Sequence, residues 1–322
     1  MKDLAGKIAV ITGGGTGMGR ELARQLVAEG CDVAMCDVSA ANMAQTRTLC
    51  LADAPQGTRV TTHLADVSDE AQVARFRDEA ARALATDKIH LLFNNAGIGG
   101  GGSLVAGDRA EWEKTFNVCW GGVYHCTRAF LPLLMAADEG HIVNTSSVNG
   151  FWASLGPGVP HTAYAAAKFA VKGFTEALMT DLAVNAPHIR CSVVMPGHIG
   201  TEIVANSRKI LGGEDSETLT AAQMAGARAR MAAFGADPAA VSDDDVRAFL
   251  AEIARRFHDD APTTAAQAAT VILDGVKSGD WRILVGADAH RLDQLVRADP
   301  EHAYEPDFFQ RFVKEAGWRL GV

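Results

Sequence analysis

The sequence has 322 residues, 48% of them hydrophobic and 21% charged, a balance typical of a folded chain with a sizeable core and not of a disordered one. The formal net charge is −9 without a run of basic residues, so we expect no nucleic acid as a partner. The longest apolar runs are far shorter than a membrane span and the N-terminus lacks the pattern of a signal peptide, so we expect no membrane association.

The cysteines and histidines suggest neither a disulfide framework nor a metal site. Six cysteines are scattered without a Cys-x-x-Cys pair, and ten histidines do not cluster with other metal-binding side chains. Five cysteines lie in apolar surroundings and are best interpreted as small core residues: Cys31, Cys36, Cys119, Cys126 and Cys191. A reducing compartment is consistent with this usage, so we predict a cytoplasmic protein without a bound metal.

The first predicted strand, Ile8–Ile11, leads directly into a glycine-rich turn, Thr12–Gly19, which a helix follows. The helix is indicated by an apolar stripe formed by Leu22, Ala23, Leu26 and Val27. Glycines let the backbone approach a pyrophosphate closely, and a helix N-terminus offers free N–H groups and a positive dipole end. Strand, turn and helix abut without extra residues, which favours a phosphate-binding loop over a glycine-rich linker.

A carboxylate ends the second predicted strand. The strand is Val33–Cys36, and Asp37 follows it about 20 residues after the glycine turn. A second-strand carboxylate in this position meets the adenosine ribose of a bound dinucleotide. Capping of the helix that follows Ser39 is the alternative role for Asp37.

Further strands alternate with helices along the chain. We predict these strands at Val60–Leu64, Ile89–Phe93, Ile142–Thr145, Cys191–Met195 and Trp281–Val285. A helix is predicted from Ser68 to about Leu84, and capping boxes are predicted for Asp108 with Glu111, Ser242 with Asp245 and Thr264 with Gln267. The alternation predicts an α/β fold with a doubly wound parallel sheet of about seven strands, which is the Rossmann fold.

The pattern changes after the sixth strand. Residues 202–262 are rich in Ala and Met and read as a helical insert, and residues 288–322 read as a C-terminal extension with an amphipathic helix and an aromatic one. Because repeats and low-complexity linkers are absent from the sequence, we predict a single domain over residues 1–322. We interpret the insert as a substrate lid.

Tyr164 and Lys168 lie four residues apart in an Ala-rich segment with helical periodicity. On a helix this spacing places both side chains on one face, one turn apart. A neighbouring cation favours the phenolate and so lowers the pKa of a phenol. We therefore expect a pair that can exchange a proton with an alcohol or a ketone. Two ordinary surface residues are the alternative interpretation of the pentapeptide by itself.

Several motifs in order strengthen the first interpretation. They are the TGxxxGxG turn, Asp37, Asp66-Val67, Asn94-Asn95-Ala96-Gly97, Asn117, Ser147, Tyr164-xxx-Lys168 and Pro196-Gly197-xxx-Thr201. Together they resemble the short-chain dehydrogenase/reductase family, and the glycine spacing resembles its compact oxidoreductase branch rather than its sugar-epimerase branch. The resemblance covers about Leu4 to Thr201 and resumes weakly in the last strand.

The resemblance implies a catalytic tetrad of Asn117, Ser147, Tyr164 and Lys168. Tyr164 would exchange the substrate proton, while Lys168 would lower its pKa and hydrogen-bond the nicotinamide ribose. Ser147 would bond the substrate oxygen, with Ser146 as the alternative serine, and Asn117 would hold a water that links Lys168 to solvent. The segment from Ser147 to Tyr164 is about four residues longer than is usual in the family, and the insert after Thr201 is also longer, so the resemblance does not indicate the substrate.

The resemblance also implies a cofactor, which Asp37 indicates to be NAD. The residues expected to bind it are Gly13, Thr16, Gly17, Met18, Gly19, Asp37, Val38, Asp66, Val67, Asn95, Ala96, Gly97, Tyr164, Lys168, Pro196, Gly197, Ile199 and Thr201. The expected function is NAD-dependent interconversion of a secondary alcohol and a ketone by a homodimer or homotetramer. The alternatives are a catalytically silent NAD-binding sensor and an epimerase or dehydratase acting on a nucleotide sugar.

The size of the substrate is open at this point. Apolar residues after the serine and in the insert could line a pocket for a bulky, apolar alcohol, or could pack against the domain or a partner subunit. These residues are Phe151, Trp152, Leu155, Ile203, Val204, Met224, Met231 and Phe234.

Overall fold

A computed structural model of the chain describes residues 1–156, 158–212, 219, 221–233, 237 and 241–318. The strands are β1 (Ile8–Thr12), β2 (Asp32–Asp37), β3 (Val60–Leu64), β4 (Leu91–Asn94), β5 (Gly140–Thr145), β6 (Ile189–Pro196), β7 (Ile199–Gly200), β8 (Thr263–Thr264) and β9 (Arg282–Val285). The helices are α1 (Gly17–Ala28), α2 (Ala40–Ala52), α3 (Glu70–Ala83), α4 (Arg109–Phe116), α5 (Gly122–Met135), α6 (Thr162–Asn185), α7 (Ile203–Leu211), α8 (Ala221–Ala233), α9 (Asp243–Asp259), α10 (Ala265–Ser278), α11 (Ala287–Ala298) and α12 (Pro306–Ala316). A π-helical turn, Asn117–Gly121, joins α4 to α5.

Seven of the strands form a parallel sheet in the order β3-β2-β1-β4-β5-β6-β9. The predicted fold class, a doubly wound parallel sheet with a helical insert and a C-terminal helical extension, is confirmed. The strand order reverses between β1 and β4, where Val10 is paired with Ala34 on one side and Leu92 on the other. A crevice opens at such a point beyond the carboxyl ends of the strands, and ligands of open α/β sheets bind there.

Helices cover both faces of the sheet, so its central strands are buried on both sides. On one face α1 packs against the strands through Leu22 and Leu26, with Ile272 of α10 in the same cluster. On the other face α3 and α5 meet through Phe76 and Phe130, whose ring centroids are 5.2 Å apart in an edge-to-face arrangement. Burying one such side chain contributes about 1.5–3 kcal/mol, so the two layers hold the strand ends, and the crevice between them, in fixed positions.

The C-terminal extension packs on the loop that follows Ser147. Trp152 is 1% exposed and lies in a cluster with Phe308, Phe312 and Trp318. Its indole N–H donates to the Ala303 carbonyl at 2.6 Å. The structure therefore shows packing as the role of Trp152, one of the residues for which a substrate pocket and packing were both open.

Some helix starts differ from the sequence prediction. Asp69, not Ser68, caps α3, because its carboxylate accepts from the N–H groups of Ala71 and Gln72. Asp108 caps α4, but the carboxylate of Glu111 accepts from the Gly101 N–H instead of completing a capping box. The boxes predicted at Ser242 and Thr264 are both formed.

The insert is tied to the main domain at both ends. β7 and β8 pair in parallel, with Ile199 opposite Thr263 and Gly200 opposite Thr264. Within it, α7 borders the crevice, and α9 packs against α7. Phe234, one of the predicted apolar residues of the insert, lies outside the described residues. Of the helices in the described ranges, none combines the length and the apolar character that a membrane span requires.

Candidate active site

A cavity of about 610 Å³ lies at the carboxyl ends of β1 to β4, within the usual size range of small-molecule sites. Twelve of the residues predicted to bind a cofactor line it: Gly13, Thr16, Gly17, Met18, Asp37, Val38, Asp66, Val67, Asn95, Ala96, Gly97 and Thr201. It is bounded by the glycine turn, by the segments that follow β2, β3 and β4, and by α7.

The glycine turn fits the backbone geometry that the sequence predicts. Gly13 and Gly17 have φ of +67° and +53°, in the region that favours glycine. A Cβ on Gly19 would lie 2.0 Å from the Gly13 carbonyl oxygen, so Gly19 shapes the turn from behind and does not line the cavity. Helix α1 begins at Gly17, and Thr16 forms no side-chain cap to it. The free N–H groups of this helix end therefore face the cavity, where they suit an anion.

Asp37 lies where β2 ends and presents its carboxylate between two backbone groups. The Gly15 N–H donates to Oδ2 at 2.9 Å, and the Ser39 N–H donates to Oδ1 at 3.0 Å. Arg20 is turned away, since it donates to the Gly15 carbonyl and to the side chains of Gln45 and Thr46. Among the described residues that line the cavity, the cations are Lys114 and Lys209.

Lys114 is bound to a carboxylate on the same wall. Its ammonium donates to Asp66 and, at 3.1 Å, to the Ser68 hydroxyl. Burial raises the pKa of Asp66, but hydrogen bonds from Lys114 and Ser68 outweigh that effect and leave the pKa below its ordinary value. Lys114 was not among the predicted site residues, because the sequence pattern of a helix does not distinguish a lysine that faces a cavity from one that faces solvent.

A threonine and three asparagines fix the loops on which the cavity is built. Asn95 donates from its side chain to the Thr12 carbonyl at 3.1 Å, and its N–H and that of Ala96 both donate to Thr12 Oγ1 at 3.0 Å. Behind them the Asn94 amide donates to Asn144 Oδ1 at 2.8 Å. Asn94 and Asn144 are buried, so these bonds orient the ends of β4 and β5 relative to β1.

Tyr164 and Lys168 lie on one face of α6, as their spacing predicts. The Lys168 ammonium lies 5.3 Å from the centroid of the Tyr164 ring and donates to the Thr145 carbonyl at 2.8 Å. The Ser147 hydroxyl is hydrogen-bonded to the Tyr164 phenol. The Ser146 hydroxyl faces away, because it donates to the Lys168 backbone carbonyl at 2.7 Å. Of the two serines, Ser147 is the one that meets Tyr164.

The pKa shifts differ from the sequence expectation. Burial raises the pKa of Tyr164, and the hydrogen bond from Ser147 offsets only part of that rise. Burial lowers the pKa of Lys168, which is 2% exposed. Removal from water favours the neutral form of both groups, so in the ligand-free chain the net shift of the Tyr164 pKa is upward, and not downward as Lys168 alone would make it.

The site connects to the cavity at Gly97. A Cβ on this residue would lie 3.5 Å from Lys168 Nζ and 3.7 Å from Cys119 Sγ. An alanine would therefore make ordinary van der Waals contact with the lysine, and a longer side chain would press on it. Gly97 also lines the cavity, whereas Lys168 and Tyr164, which were predicted to bind the cofactor, do not, so this glycine lies between the cavity and the Lys168 side chain.

Asn117 is not brought to this cluster, contrary to the prediction. Its side chain is exposed, and no described hydrogen bond links it to Lys168. Cys119 is fully buried instead, and its thiol donates to the Ile98 carbonyl at 3.2 Å. Residues two apart on a helix point to opposite sides, so the π-helical turn can present only one of them to the site. Choosing by residue type selected the asparagine, whereas the local geometry selects the cysteine.

Three further predicted residues do not line the cavity. Ile199 is 4% exposed in the core, and Pro196 ends β6. A Cβ on Gly197 would lie 2.3 Å from Asp288 Oδ2, which accepts from the His198 N–H at 2.7 Å. Burial raises the pKa of Asp288. These residues shape the segment that carries Thr201 to the cavity.

Comparison with known proteins assigns the family. The family model described as short chain dehydrogenase matches residues 7–211. SadH of Mycobacterium tuberculosis, provisionally classed as an oxidoreductase, is 33% identical over 297 residues, which span 92% of this chain and 92% of SadH. Levodione reductase of Leifsonia aquatica is 34% identical over 210 residues, 65% of this chain and 75% of that protein.

Solved structures agree with the sequence comparison. A short-chain dehydrogenase/reductase from Burkholderia phymatum in complex with NAD has a TM-score of 0.74 at 30% identity, over 95% of this chain and 98% of that one. A metagenomic short-chain oxidoreductase in complex with NADP has a TM-score of 0.53 at 30% identity, over 60% of this chain and 83% of that one. The chain, with its glycine turn, its Ser147–Tyr164–Lys168 cluster and its parallel sheet, belongs to the short-chain dehydrogenase/reductase family of oxidoreductases.

Proposed function

We propose that the chain is an NAD-dependent dehydrogenase that interconverts a secondary alcohol and a ketone. The observation that carries the proposal is the position of Gly97, which lines the dinucleotide-sized cavity and lies next to the Lys168 ammonium. Lys168 in turn lies over the Tyr164 ring, and Tyr164 is hydrogen-bonded to Ser147. A proton donor and a bound hydride carrier would thus meet at one place.

The residues present fit a nicotinamide dinucleotide. The free helix end at Gly17 suits the pyrophosphate, and the Asp37 carboxylate suits the hydroxyls of the adenosine ribose. Gly13, whose Cβ would lie 2.9 Å from the Ala96 backbone, leaves no room for a side chain between the two loops. The bound cofactor supplies the hydride, and the protein supplies orientation and electrostatics.

The chain's own residues would handle the proton. Tyr164 would give its phenolic proton to the oxygen of a ketone, or accept one from an alcohol. Ser147 would donate to the same oxygen as negative charge develops there. Lys168, held by the Thr145 carbonyl at 2.8 Å, would stabilise the phenolate through its charge. Asn117 has no part in this proposal, because its side chain is exposed.

NAD is proposed over NADP because of the charge at Asp37. The 2′-phosphate of NADP carries about −1.5 to −2 charges, and two unit like charges ~4 Å apart repel by about 4 kcal/mol at an effective dielectric near 20. Arg20, which lies one residue past the glycine turn, is bonded to Gly15, Gln45 and Thr46. The related protein from Burkholderia phymatum, with the higher TM-score of 0.74, was crystallised with NAD, and the metagenomic one, with a TM-score of 0.53, with NADP.

The test of the function is turnover of a panel of secondary alcohols and ketones with NAD or NADH, followed by the absorbance of reduced nicotinamide. The matched control is Tyr164→Phe, which keeps the ring and removes the hydroxyl. Turnover by the wild type and not by the variant supports the proposal. Cofactor binding without turnover across the panel would favour an NAD-binding sensor. The name of levodione reductase makes cyclic diketones a sensible part of the panel.

We also propose a homodimer or homotetramer formed through α4, α5 and α6. Large apolar side chains are exposed on α5 and α6, namely Tyr124, Phe169 and Val184. Contiguous exposed apolar residues mark association surfaces. Light scattering gives the mass directly, and a monomer at micromolar concentration would contradict this proposal. We propose a cytoplasmic location for the chain, whose six cysteines are all buried and unpaired.

A further inference from the structure

His161 is a titratable side chain beside the reacting group that the proposed chemistry does not use. It is the residue before α6 and lies three positions ahead of Tyr164. The two rings are in contact, with centroids 4.7 Å apart and planes inclined by 33°. On its other side Tyr164 faces Lys168. The phenol ring is therefore flanked by an imidazole and an ammonium in one row along the helix.

The imidazole has no structural hydrogen bond within the described ranges. Three buried histidines do: His141 bonds the Ser192 hydroxyl at 2.7 Å, His198 bonds the Phe257 carbonyl at 2.7 Å, and His90 accepts from the Ile8 N–H at 3.1 Å. His161 does not cap α6 with its side chain either. Its nitrogens are not among the buried polar atoms that lack a partner, so they reach solvent and are available to a ligand.

The ionisation of His161 suits a hydrogen bond rather than a charge. Burial lowers its pKa to about 4, so the ring is neutral at pH 7 and carries one N–H donor and one bare nitrogen acceptor. It can therefore pair with a hydroxyl, which both donates and accepts, or donate to a carbonyl. A carboxylate is a weaker fit, because the neutral ring offers it no positive charge.

The row also gives a direction. Lys168 approaches Gly97, which lines the dinucleotide cavity, whereas His161 lies on the other side of the Tyr164 ring. A substrate oxygen held by Tyr164 and Ser147 would thus have the cofactor on the lysine side and the imidazole on the other. Since the rings are in contact, the imidazole reaches a group close to the reacting carbon.

We propose that His161 is a specificity-determining residue that hydrogen-bonds a second oxygen of the substrate, one or two carbons from the reacting one. The inference rests on the proposed function and deepens it, because it names hydroxyketones, diketones and the corresponding diols as the substrate class. A simple ketone would leave the imidazole unpaired in the closed site. Sites that bond a substrate hydroxyl discriminate strongly against analogues that lack it.

The experiment compares matched substrates in wild type and in His161→Phe. The pairs are 3-hydroxy-2-butanone with 2-butanone and 2-hydroxycyclohexanone with cyclohexanone, reduced with NADH. We expect the wild type to prefer the oxygenated member by about tenfold or more in kcat/KM. His161→Phe keeps the ring contact with Tyr164, so it should lose that preference while its kcat/KM for the simple ketones stays within about threefold. His161→Asn, which retains a donor and an acceptor, should recover part of it. The control His290→Phe alters an exposed residue on α11 and should change nothing.

The outcomes separate this inference from the proposed function. Turnover without a preference in the wild type, or an equal loss for both members of each pair in His161→Phe, would overturn the inference and leave the dehydrogenase assignment standing. Absence of all turnover would count against the function itself. In that case nitrogen NMR of the His161 ring, with NADH and saturating 3-hydroxy-2-butanone, decides the inference: a changed ring-nitrogen shift supports it and an unchanged one refutes it.

Discussion

The Tyr164 hydroxyl is the atom whose removal tests the chemistry most directly. In Tyr164→Phe we expect kcat to fall by about 10²–10⁴-fold, the usual contribution of a general acid or base. NADH binding should persist, because the hydroxyl lies outside the cavity that suits the dinucleotide. Stopped-flow or steady-state turnover and fluorescence titration measure the two quantities. A kcat within a few-fold of wild type would remove Tyr164 from the mechanism.

The two serines provide a matched comparison. Ser147→Ala removes the hydroxyl bonded to Tyr164 and should lower kcat strongly, by about 10²-fold. Ser146→Ala removes a buried hydroxyl bonded to the Lys168 carbonyl. It should cost about 1 kcal/mol of stability with a smaller effect on kcat. Urea unfolding together with kinetics separates the two, and the reverse ranking would identify Ser146 as the reacting serine.

Asp37 decides between the two cofactors through its charge. Asp37→Asn keeps the shape of the side chain and removes the repulsion of a 2′-phosphate. We expect wild type to favour NAD, and the variant to narrow the ratio of kcat/KM values for NAD and NADP by about tenfold or more. The ratio should be measured at fixed ionic strength. A wild type that uses both cofactors equally would contradict the assignment, and Lys209→Met would then test whether the second cavity cation compensates.

Residue type in the sequence identified most of the residues that line the cavity. It did not identify which residue of the π-helical turn faces the cluster of Ser147, Tyr164 and Lys168. The Tyr164-xxx-Lys168 spacing and the glycines work as predictors because helical period and backbone strain depend only on local sequence. The local sequence could not decide between Asn117 and Cys119, because which of them faces inward depends on a π-helical turn within a longer helix. The directions of the pKa shifts of Tyr164 and Lys168 could not be predicted from the local sequence either, because desolvation depends on residues far away in the chain.

At the scale of elements, α7 is the part that holds the cavity from above. Its Asn206 amide donates to Thr16 Oγ1 at 3.0 Å, and its Ser207 hydroxyl accepts from the Gly99 N–H at 2.7 Å. If residues 202–262 act as the proposed lid, NADH should slow amide hydrogen exchange in α7, because segments of this kind close over ligand. Asn206→Ala should reduce that protection. Exchange in α7 that is unaffected by saturating NADH would contradict a closing role.

Helix α12 supports the active-site loop through its aromatic face. Phe312 is fully buried against Trp152, with ring centroids 5.6 Å apart. Phe312→Ala should cost about 3–5 kcal/mol of unfolding free energy. It should also lower kcat, since the loop between Ser147 and His161 loses its support. Arg311→Ala, one residue away and on the exposed side, is the control. Normal kcat in a destabilised Phe312→Ala would show that the extension stabilises the fold without positioning the loop.

The sequence predicted these elements unevenly. Strands that are buried along their whole length, such as β4 and β5, appear within two residues of their predicted ends because burial on both faces leaves a local apolar run. Pairing of Ile199–Gly200 with Thr263–Thr264 was not predicted, since it joins two dipeptides across the whole insert. The sequence also left open whether Trp152 lines a pocket or packs in the core, because its hydrogen-bond partner Ala303 follows it by 151 residues.

At the scale of the whole molecule, stability should fall in mild acid because of buried histidines. Burial, with lesser effects of the chain's N-terminal amine and Arg190, lowers the pKa of His141 from 6.5 to about 4. The unfolded chain then binds the proton more readily, so the contribution is complete above pH 6.5 and is lost as the pH falls toward 4. For His141 the loss at pH 5 is about 2 kcal/mol.

Denaturant unfolding between pH 7.5 and 5 measures this dependence. We expect His141→Gln to be less stable than wild type at pH 7, because it loses the bond to Ser192. Its stability should nevertheless change less with pH, corresponding to about one fewer proton taken up on unfolding. His63, His90 and His198, whose pKa values burial also lowers, keep the remaining slope. Identical slopes in both proteins would mean that His141 does not titrate in this range.

The bond between Trp152 and Ala303 also fixes an order of events during synthesis. At about 5–20 residues per second, the ribosome needs roughly 8 to 30 s to add the 151 residues between them. For most of that interval the nascent chain already carries Ser147 and Tyr164, but the aromatic cluster that buries Trp152 does not yet exist. The emerging loop would expose Phe151 and Trp152 to solvent and to chaperones. The enzyme would therefore become active late, when α12 is complete, and not as its nucleotide-binding strands emerge.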